Sequence, residues 1–235
     1  MNTDCIIPFY NEGSRVLHVV ESVLKVNNLS KIIVVDDGST SKGTFEELKA
    51  KFPQIIAIRL NINSGKANAV KEGAKHTTAD YVLLLDGDLT NIKTDELENA
   101  ISRITNNPKI DMIILRRVAD VTLNILGRII ITISRQDIVT SGQRVLKVKD
   151  LQQVFHSIFG GYQLEVAMNA YMIKNMKHVY WMPFSMYSQL SMQKWGWKEG
   201  VKRYITSIKG YVRYHLCGEF IRQTLFFCWQ EAPNE

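Results

Sequence analysis

LLLDGDL, Leu83–Leu89, closes an apolar run beginning at Tyr81 and ends in two carboxylates, Asp86 and Asp88, set one glycine apart. An unbroken run of this kind reads as a strand covered on both faces. The same reading applies upstream: Cys5–Pro8 is a first short strand, Lys31–Val35 runs into DDGS, and Ile55–Leu60 runs into NINSG. Helical segments fit between them. Val16, Val19, Val20, Val23 and Leu24 recur at helical spacing, and Thr44–Lys51 and Lys66–Lys75 supply two further helices. Strands alternating with helices predict an α/β fold with an open, mostly parallel central sheet flanked by helices, and Ile110–Leu115 extends the pattern. Ligands of such sheets sit beyond the C-terminal ends of the strands, where Asp86 and Asp88 stand.

The rhythm changes after Arg117. Val121–Ser134 reads as helix, Gln143–Val148 as a short strand, Asp150–Ser157 and Tyr162–Lys174 as helices, and Lys177–Trp181 as a strand. From Lys198 onward Val201, Tyr204, Ile205, Ile208, Val212, Leu216 and Phe220 mark one face of a long helix or helix pair, with Gly210 and Gly218 as breaks. Lys202, Arg203, Lys209 and Arg213 mark the opposite face. The expected organisation is one domain over 1–197, changing character between 117 and 118, followed by an amphipathic helical tail over 198–235.

The chain of 235 residues is long enough for one good core. Its net charge of +6 is unevenly spread: residues 1–100 hold 11 Lys/Arg against 14 Asp/Glu, and the remainder 18 against 9. The basic half suits an anionic lipid, a phosphate or a nucleic acid. Nucleic acid is the weakest of these, because no helix-turn-helix, zinc-finger or RNA-binding sheet signature is present. Cys5, Cys217 and Cys228 form no metal or redox motif. The start MNTDCIIPF lacks a basic stretch before a long apolar run, and NILGRIIITI (Asn124–Ile133) falls short of the about 18 apolar residues of a membrane span. The expected location is cytoplasmic.

Four loops follow the predicted strands. PFYNEG (Pro8–Gly13) offers Tyr10 for stacking and Glu12 as a hydrogen-bond acceptor for a ribose or base, or else simply starts a helix. Asp36 and Asp37 end the second strand, where a carboxylate can meet a ribose or cap a turn. In NSGK, Ser64 can cap a helix, Gly65 lets backbone come close, and Lys66 can meet a phosphate. In an extended DGD, Asp86 and Asp88 project to the same side and can address one divalent cation, with Gly87 leaving room for a donor. The first turn has neither GxGxxG nor GxxxxGK[ST], which counts against a dinucleotide enzyme and a P-loop enzyme.

IVVDDGST (Ile33–Thr40), NSGKANAV (Asn63–Val70) and LLLDGDL, in that order, resemble family 2 nucleotide-sugar glycosyltransferases, and the resemblance runs from about Cys5 to Trp197. It implies the GT-A fold as a catalytic domain over 1–197, with a Rossmann-like nucleotide-sugar and metal half (1–117) and an acceptor half (118–197), and inverting transfer of a hexosyl group from a nucleoside diphosphate sugar with Mg²⁺ or Mn²⁺. It assigns Pro8, Tyr10, Glu12, Asp36, Asp37 and Lys66 to the donor, Asp86 and Asp88 to the metal, and Asp88 to catalysis. UDP-sugars are slightly preferred to GDP-sugars.

The acceptor half resembles the polyprenyl-phosphate hexose synthases of that family. By that resemblance Arg117 and Lys194 contact donor phosphate, and Glu165 stands in an acceptor-side helix. RQDIVTSGQRVLK (Arg135–Lys147) carries an aspartate, Asp137, and a Ser-Gly pair, Ser141 and Gly142, although Ile138 replaces the usual proline and Gln143 and Arg144 replace aromatics. Asp137 is a general base if the acceptor is a hydroxyl and a positioning group if the acceptor is an already ionised phosphate; pairing with Arg135 or Arg144 is the structural alternative.

The basic, aromatic stretch Tyr211–Trp229 suits a membrane surface, and with it a polyprenyl phosphate acceptor, core packing or a homodimer contact. Two other classes stay open. One is a non-catalytic nucleotide- or carbohydrate-binding domain. The other is a sugar nucleotidyltransferase, which would normally place a glycine-rich loop after the first strand.

Overall fold

The computed structural model describes residues 1–41, 43–117, 135–157, 164–188, 196–197 and 218–228. Its first half alternates strand and helix: β1 (Thr3–Phe9), α1 (Ser14–Val23), β2 (Lys31–Asp36), α2 (Thr44–Lys51), β3 (Ile56–Arg59), α3 (Lys66–Ala74) and β4 (Tyr81–Leu84). Then follow β5 (Leu89–Thr90), α4 (Thr94–Asn106) and β6 (Met112–Arg117). The second half contributes α5 (Gln136–Val139), β7 (Arg144–Lys147), α6 (Val148–Ser157), α7 (Leu164–Lys174), β8 (Val179–Phe184), β9 (Tyr187–Ser188) and α8 (Glu219–Cys228). The expected elements within the described residues are present, with ends shifted by a few residues. The helix expected over Val121–Ser134 and most of the tail lie outside the described residues.

Seven strands form one sheet in the order β3-β2-β1-β4-β7-β6-β8. β1 pairs in parallel with β2 (Ile6 opposite Ile33) and with β4 (Ile6 opposite Leu84). Side chains alternate between the two faces of a strand, so each apolar run feeds two cores. Cys5, Ile7, Val34, Leu83, Ile113 and Val145 pack with α1 and α4, where Val16, Val19, Val20, Leu97 and Ile101 are buried. Ile6, Ile33, Val35, Val82, Leu84 and Leu146 pack on the other side with Val70 of α3, Leu151 of α6, Met168 of α7 and Phe227 of α8.

β6 does not continue the parallel series next to β4. β7 lies between them, antiparallel to both, with Leu84 opposite Arg144 and Ile114 opposite Arg144 on its two sides. Strand direction leaves no mark in a four-residue run such as RVLK. It matters for the site, because the N-terminal end of an antiparallel strand sits beside the C-terminal end of β4. That puts Gln143, which precedes β7, next to Asp86, which follows β4. The two-stranded β5–β9 pair then fixes the chain leaving the DGD turn, with Leu89 opposite Ser188 and Thr90 opposite Tyr187.

The described part of the tail packs on the body. α8 rests on α5 and α7, burying Gln223 and Phe227 and leaving Ile221 and Leu225 exposed. No helix among the described residues is long and apolar enough to cross a membrane.

Candidate active site

Four loops meet at the C-terminal edge of the parallel strands, the first three tied by side chain to backbone hydrogen bonds. Asn11 adopts a positive φ of 55°, which asparagine tolerates. Its backbone N–H donates to Ser39 Oγ (2.9 Å), and its Oδ1 accepts from the Thr40 and Ser41 N–H groups (2.8 and 3.0 Å). The PFYNEG loop is thereby locked to DDGS. Gly38 has φ +69°, and a Cβ there would lie 2.5 Å from the Ile62 carbonyl carbon and 2.6 Å from the Asn63 nitrogen. DDGS therefore presses on the backbone of the NSGK loop. Gly87 makes a third close approach, since a Cβ would stand 2.7 Å from Phe9 Cβ and 3.2 Å from the Pro8 carbonyl oxygen.

The two aspartates at the end of β2 are buried and clamp neighbouring loops. Asp37 accepts from the N–H groups of Ser64 (2.9 Å) and Gly65 (2.8 Å). Asp36 Oδ1 accepts from the Ser39 N–H (2.8 Å), and its Oδ2 lies 3.3 Å from Arg59 Nε. Arg59 also reaches the Ser39 carbonyl (3.1 Å) and Glu46 (3.0 Å). Glu12 pairs with Arg15 at 2.9 Å across one helical turn.

At the centre Lys66 Nζ lies 2.6 Å from Asp86 Oδ1 and 2.7 Å from Glu165 Oε1. Burial opposes the charge on Lys66, but the adjacent Asp86 and Glu165 carboxylates outweigh it and hold the ammonium above its ordinary pKa. Burial likewise pushes the Glu165 carboxyl up, yet Lys66 wins and holds it below the usual value. Gln143 Nε2 donates to Asp86 Oδ2 at 2.6 Å. Gly142 admits this arrangement, since a Cβ there would collide with Lys66 Nζ and sit 2.9 Å from Asp86 Oδ2. Asp88 is nearly buried just beyond.

A second cluster adjoins the first. Asp137 Oδ2 pairs with Arg116 Nε, and Arg116 also stacks on Trp181 with 5.1 Å between guanidinium carbon and ring centre. Arg135 stacks on the same ring at 5.3 Å. Ser141 Oγ donates to the Leu115 carbonyl at 2.6 Å, fastening this segment to the end of β6.

Of the residues singled out in the sequence, Asp37, Lys66, Asp86, Gly87 and Glu165 are brought into one connected set with the Pro8 backbone. Tyr10 and Glu12 lie in the adjoining loop. Arg117 ends β6, and Lys194 lies outside the described residues. Asp137 takes Arg116 as its partner, and not the Arg135 or Arg144 that the sequence offered as the structural alternative to a role at the acceptor. Gln143, Gly142, Asn11 and Arg59 were not picked out as site residues. Only the Ser-Gly pair beside Gln143 gave any sign of them.

A family model described as glycosyl transferase family 2 matches residues 4–167, well over half of the chain. The chain belongs to glycosyl transferase family 2. A dolichyl-phosphate beta-glucosyltransferase of Saccharomyces cerevisiae is 33% identical over 113 residues, 42% of this chain and 34% of that protein. A poly-beta-1,6-N-acetyl-D-glucosamine synthase of Staphylococcus epidermidis is 38% identical over 109 residues, 45% of this chain and 26% of that protein. The matches therefore span about a third or less of those relatives' length. Among solved structures, glucosyl-3-phosphoglycerate synthase of Mycobacterium tuberculosis, in complex with Mn²⁺, uridine diphosphate and glucosyl-3-phosphoglycerate, superposes with a TM-score of 0.61 at 14% identity, covering 80% of this chain and 72% of that one. At that identity the likeness speaks for the fold. The stretch matched to family 2 contains every residue of the Lys66–Asp86–Glu165 set and ends before α8.

Proposed function

We propose that this family 2 chain transfers a hexosyl group, with inversion, from a nucleoside diphosphate sugar to a lipid-linked phosphate. The observation that carries the reading is the meeting of Lys66 with Asp86 and Glu165, next to the Ser64 and Gly65 N–H groups gripped by Asp37, beyond the C-terminal ends of parallel strands, the place where such sheets bind nucleotides. Tyr10, Glu12 and the loop held by Asp37 form the base and ribose side. Lys66, with Arg117 and Lys194, serves the diphosphate. UDP-sugars are the preferred donors.

The acidic pair fits a hard divalent cation. Among the described residues no group of three or more His, Cys, Asp or Glu side chains could hold a metal unaided. Two carboxylates completed by substrate phosphate oxygens are nevertheless the usual arrangement for Mg²⁺. Asp86 and Asp88 would hold Mg²⁺ or Mn²⁺, which when bound neutralises charge on the diphosphate and on the departing nucleoside diphosphate. Lys66 now occupies one Asp86 oxygen and Gln143 the other. Lys66 keeps Glu165 as an anchor when it turns from Asp86 toward phosphate.

Asp137 bears on the acceptor. One of its oxygens is engaged by Arg116 and the other is buried without a hydrogen-bond partner. Its pairing with Arg116 suits a positioning role beside a phosphate acceptor, which brings no proton to collect, while the oxygen without a partner is the one that would take the proton of a hydroxyl acceptor. Peripheral association with an anionic membrane accompanies this reading.

Titration calorimetry with UDP and with GDP, each with Mn²⁺, tests the assignment in the parent and in Asp86→Ala and Asp88→Ala variants. The expected result is metal-dependent UDP binding that both variants lose. Undiminished binding in both variants overturns the metal assignment, and tighter GDP binding reverses the choice of base.

A further inference from the structure

We infer that α8, which lies beyond the region shared with family 2, is a working part of the site, and that Gln223 is a positioning residue for the segment carrying Asp137 and Gln143. The inference begins with a buried charge. Arg144 is completely buried at the start of β7. It donates to the Ser141 carbonyl (2.8 Å), the Val139 carbonyl (3.0 Å) and Asn169 Oδ1 of α7 (2.5 Å). A buried guanidinium is tolerated only when its donors are met, so these acceptors have to be held in place.

Asn169 is held in turn. Its Nδ2 donates to the Val139 carbonyl (3.0 Å) and to Gln223 Oε1 (2.9 Å). Gln223 is also completely buried, and its Nε2 donates to the Val166 carbonyl (3.2 Å) and Glu219 Oε2 (3.3 Å). The Gln223 amide thus joins α8 to α7, and through Asn169 to the turn between Val139 and Arg144. A separate link runs from the other end of α8, where Arg135 Nε donates to the Phe227 carbonyl at 3.4 Å. Both ends of the segment 135–144 are therefore tied to α8.

That segment bears on the chemistry at two points. Asp137 pairs with Arg116, and Gln143 holds Asp86. A glutamine on the buried face of a tail helix is an unusual choice where leucine would pack as well, because every one of its polar atoms then needs a partner. Its presence is explained if the amide fixes the orientation of Asn169 and Arg144, and through them the pose of Asp137 and Gln143. The catalytic consequence rests on the transfer reading above. The mechanical coupling does not.

The test is hydrogen exchange of the folded parent and of Gln223→Leu, followed by mass spectrometry of peptides covering 135–147 and covering β1, β2 and β4. Leucine keeps the helix propensity and leaves Asn169 Nδ2 and the Val166 carbonyl each short of a partner. Exchange at Ile138, Val139 and Ser141, whose N–H groups bond within the segment, is expected to rise about tenfold or more, the size of effect from leaving a buried amide unpaired, while β1 and β2 stay as protected as before. Gln223→Asn, one methylene shorter, gives the same local pattern in milder form should the leucine variant not fold. Leu225→Ser on the exposed face of α8 leaves the segment unchanged.

In the transfer assay, Gln223→Leu lowers kcat and raises the acceptor KM through Asp137 and the donor KM through Gln143 and Asp86. No change in 135–147, a rise spread evenly over the sheet, or a fall in activity matched by the folded fraction with both KM values intact overturns the proposal. A parent that transfers no sugar speaks against the transfer reading and leaves the exchange result to decide the coupling.

Discussion

Replacing Gly38 with alanine tests how the donor loops are held together. Two separate penalties act at this position. The backbone sits at φ +69°, which costs a residue with a Cβ about 1 kcal/mol or slightly more. The added methyl also lands 2.5–2.9 Å from Ile62 and Asn63 backbone atoms, which cannot swing aside as a side-chain tip would. Overpacking of this kind costs roughly 1–3 kcal/mol. Together they predict a loss of about 2–4 kcal/mol in stability.

Gly43 supplies the control, because it has φ +92° and nothing within 4 Å of a Cβ. Gly43→Ala carries the backbone penalty alone, about 1 kcal/mol. Urea unfolding of both variants reads the difference as a shift in midpoint at constant slope. The functional effect follows the same geometry: pushing Ile62 and Asn63 away loosens the grip of Asp37 on the Ser64 and Gly65 N–H groups, so Gly38→Ala weakens UDP binding and Gly43→Ala does not. Equal stability losses in the two variants, or unaltered UDP affinity in Gly38→Ala, would refute the claim that DDGS bears directly on the NSGK loop.

Other outcomes follow from the charged groups. Asp37→Ala leaves two loop N–H groups without their acceptor and is expected to reduce UDP affinity at least tenfold, read by calorimetry, with a stability loss of about 1–3 kcal/mol. Lys66→Met strands Glu165 and costs roughly 1–2 kcal/mol, less than a fully buried pair because Lys66 is about a third exposed; adding Glu165→Gln restores most of it in urea unfolding. Asp111 gives a pH effect. Burial opposes its charge, but a hydrogen bond from Lys147, the His178 N–H and Lys177 hold its carboxyl below the usual range. A lowered folded-state pKa makes its contribution complete above the unfolded value of about 3.9 and lost as pH falls through the folded one. Asp111→Asn should therefore flatten the acid limb of stability below about pH 4 and leave its slope near neutrality alone.

The first half of the fold was legible because its strands are apolar on both faces and end in small or acidic residues, and that pattern depends on local sequence alone. The positions of Asp86 and Lys66 just beyond predicted strands were legible for the same reason, but their pairing with each other was not. Asp37 was noticed as a strand-end carboxylate, but its hold on Ser64 and Gly65 depends on how close Gly38 brings two loops. The place and direction of β7 were hidden, since four residues with a buried arginine among them announce neither a neighbour nor an orientation. Glu165 stood out as an acidic residue of an acceptor-side helix, and its partner proved to be Lys66, 99 residues away. The docking of α8 through Gln223 had no signal at all: a lone glutamine in an apolar helix looks like part of a solvated face.

Product analysis bears most directly on the central claim. The parent is incubated with UDP-glucose, Mn²⁺ and a polyprenyl phosphate, with simple sugars offered alongside, and nucleotide and lipid products are separated. The account predicts release of intact UDP in step with glucosylated polyprenyl phosphate, and loss of both in Asp86→Ala and Asp88→Ala. Release of pyrophosphate, transfer to soluble hydroxyl acceptors alone, or undiminished transfer by both variants would contradict it.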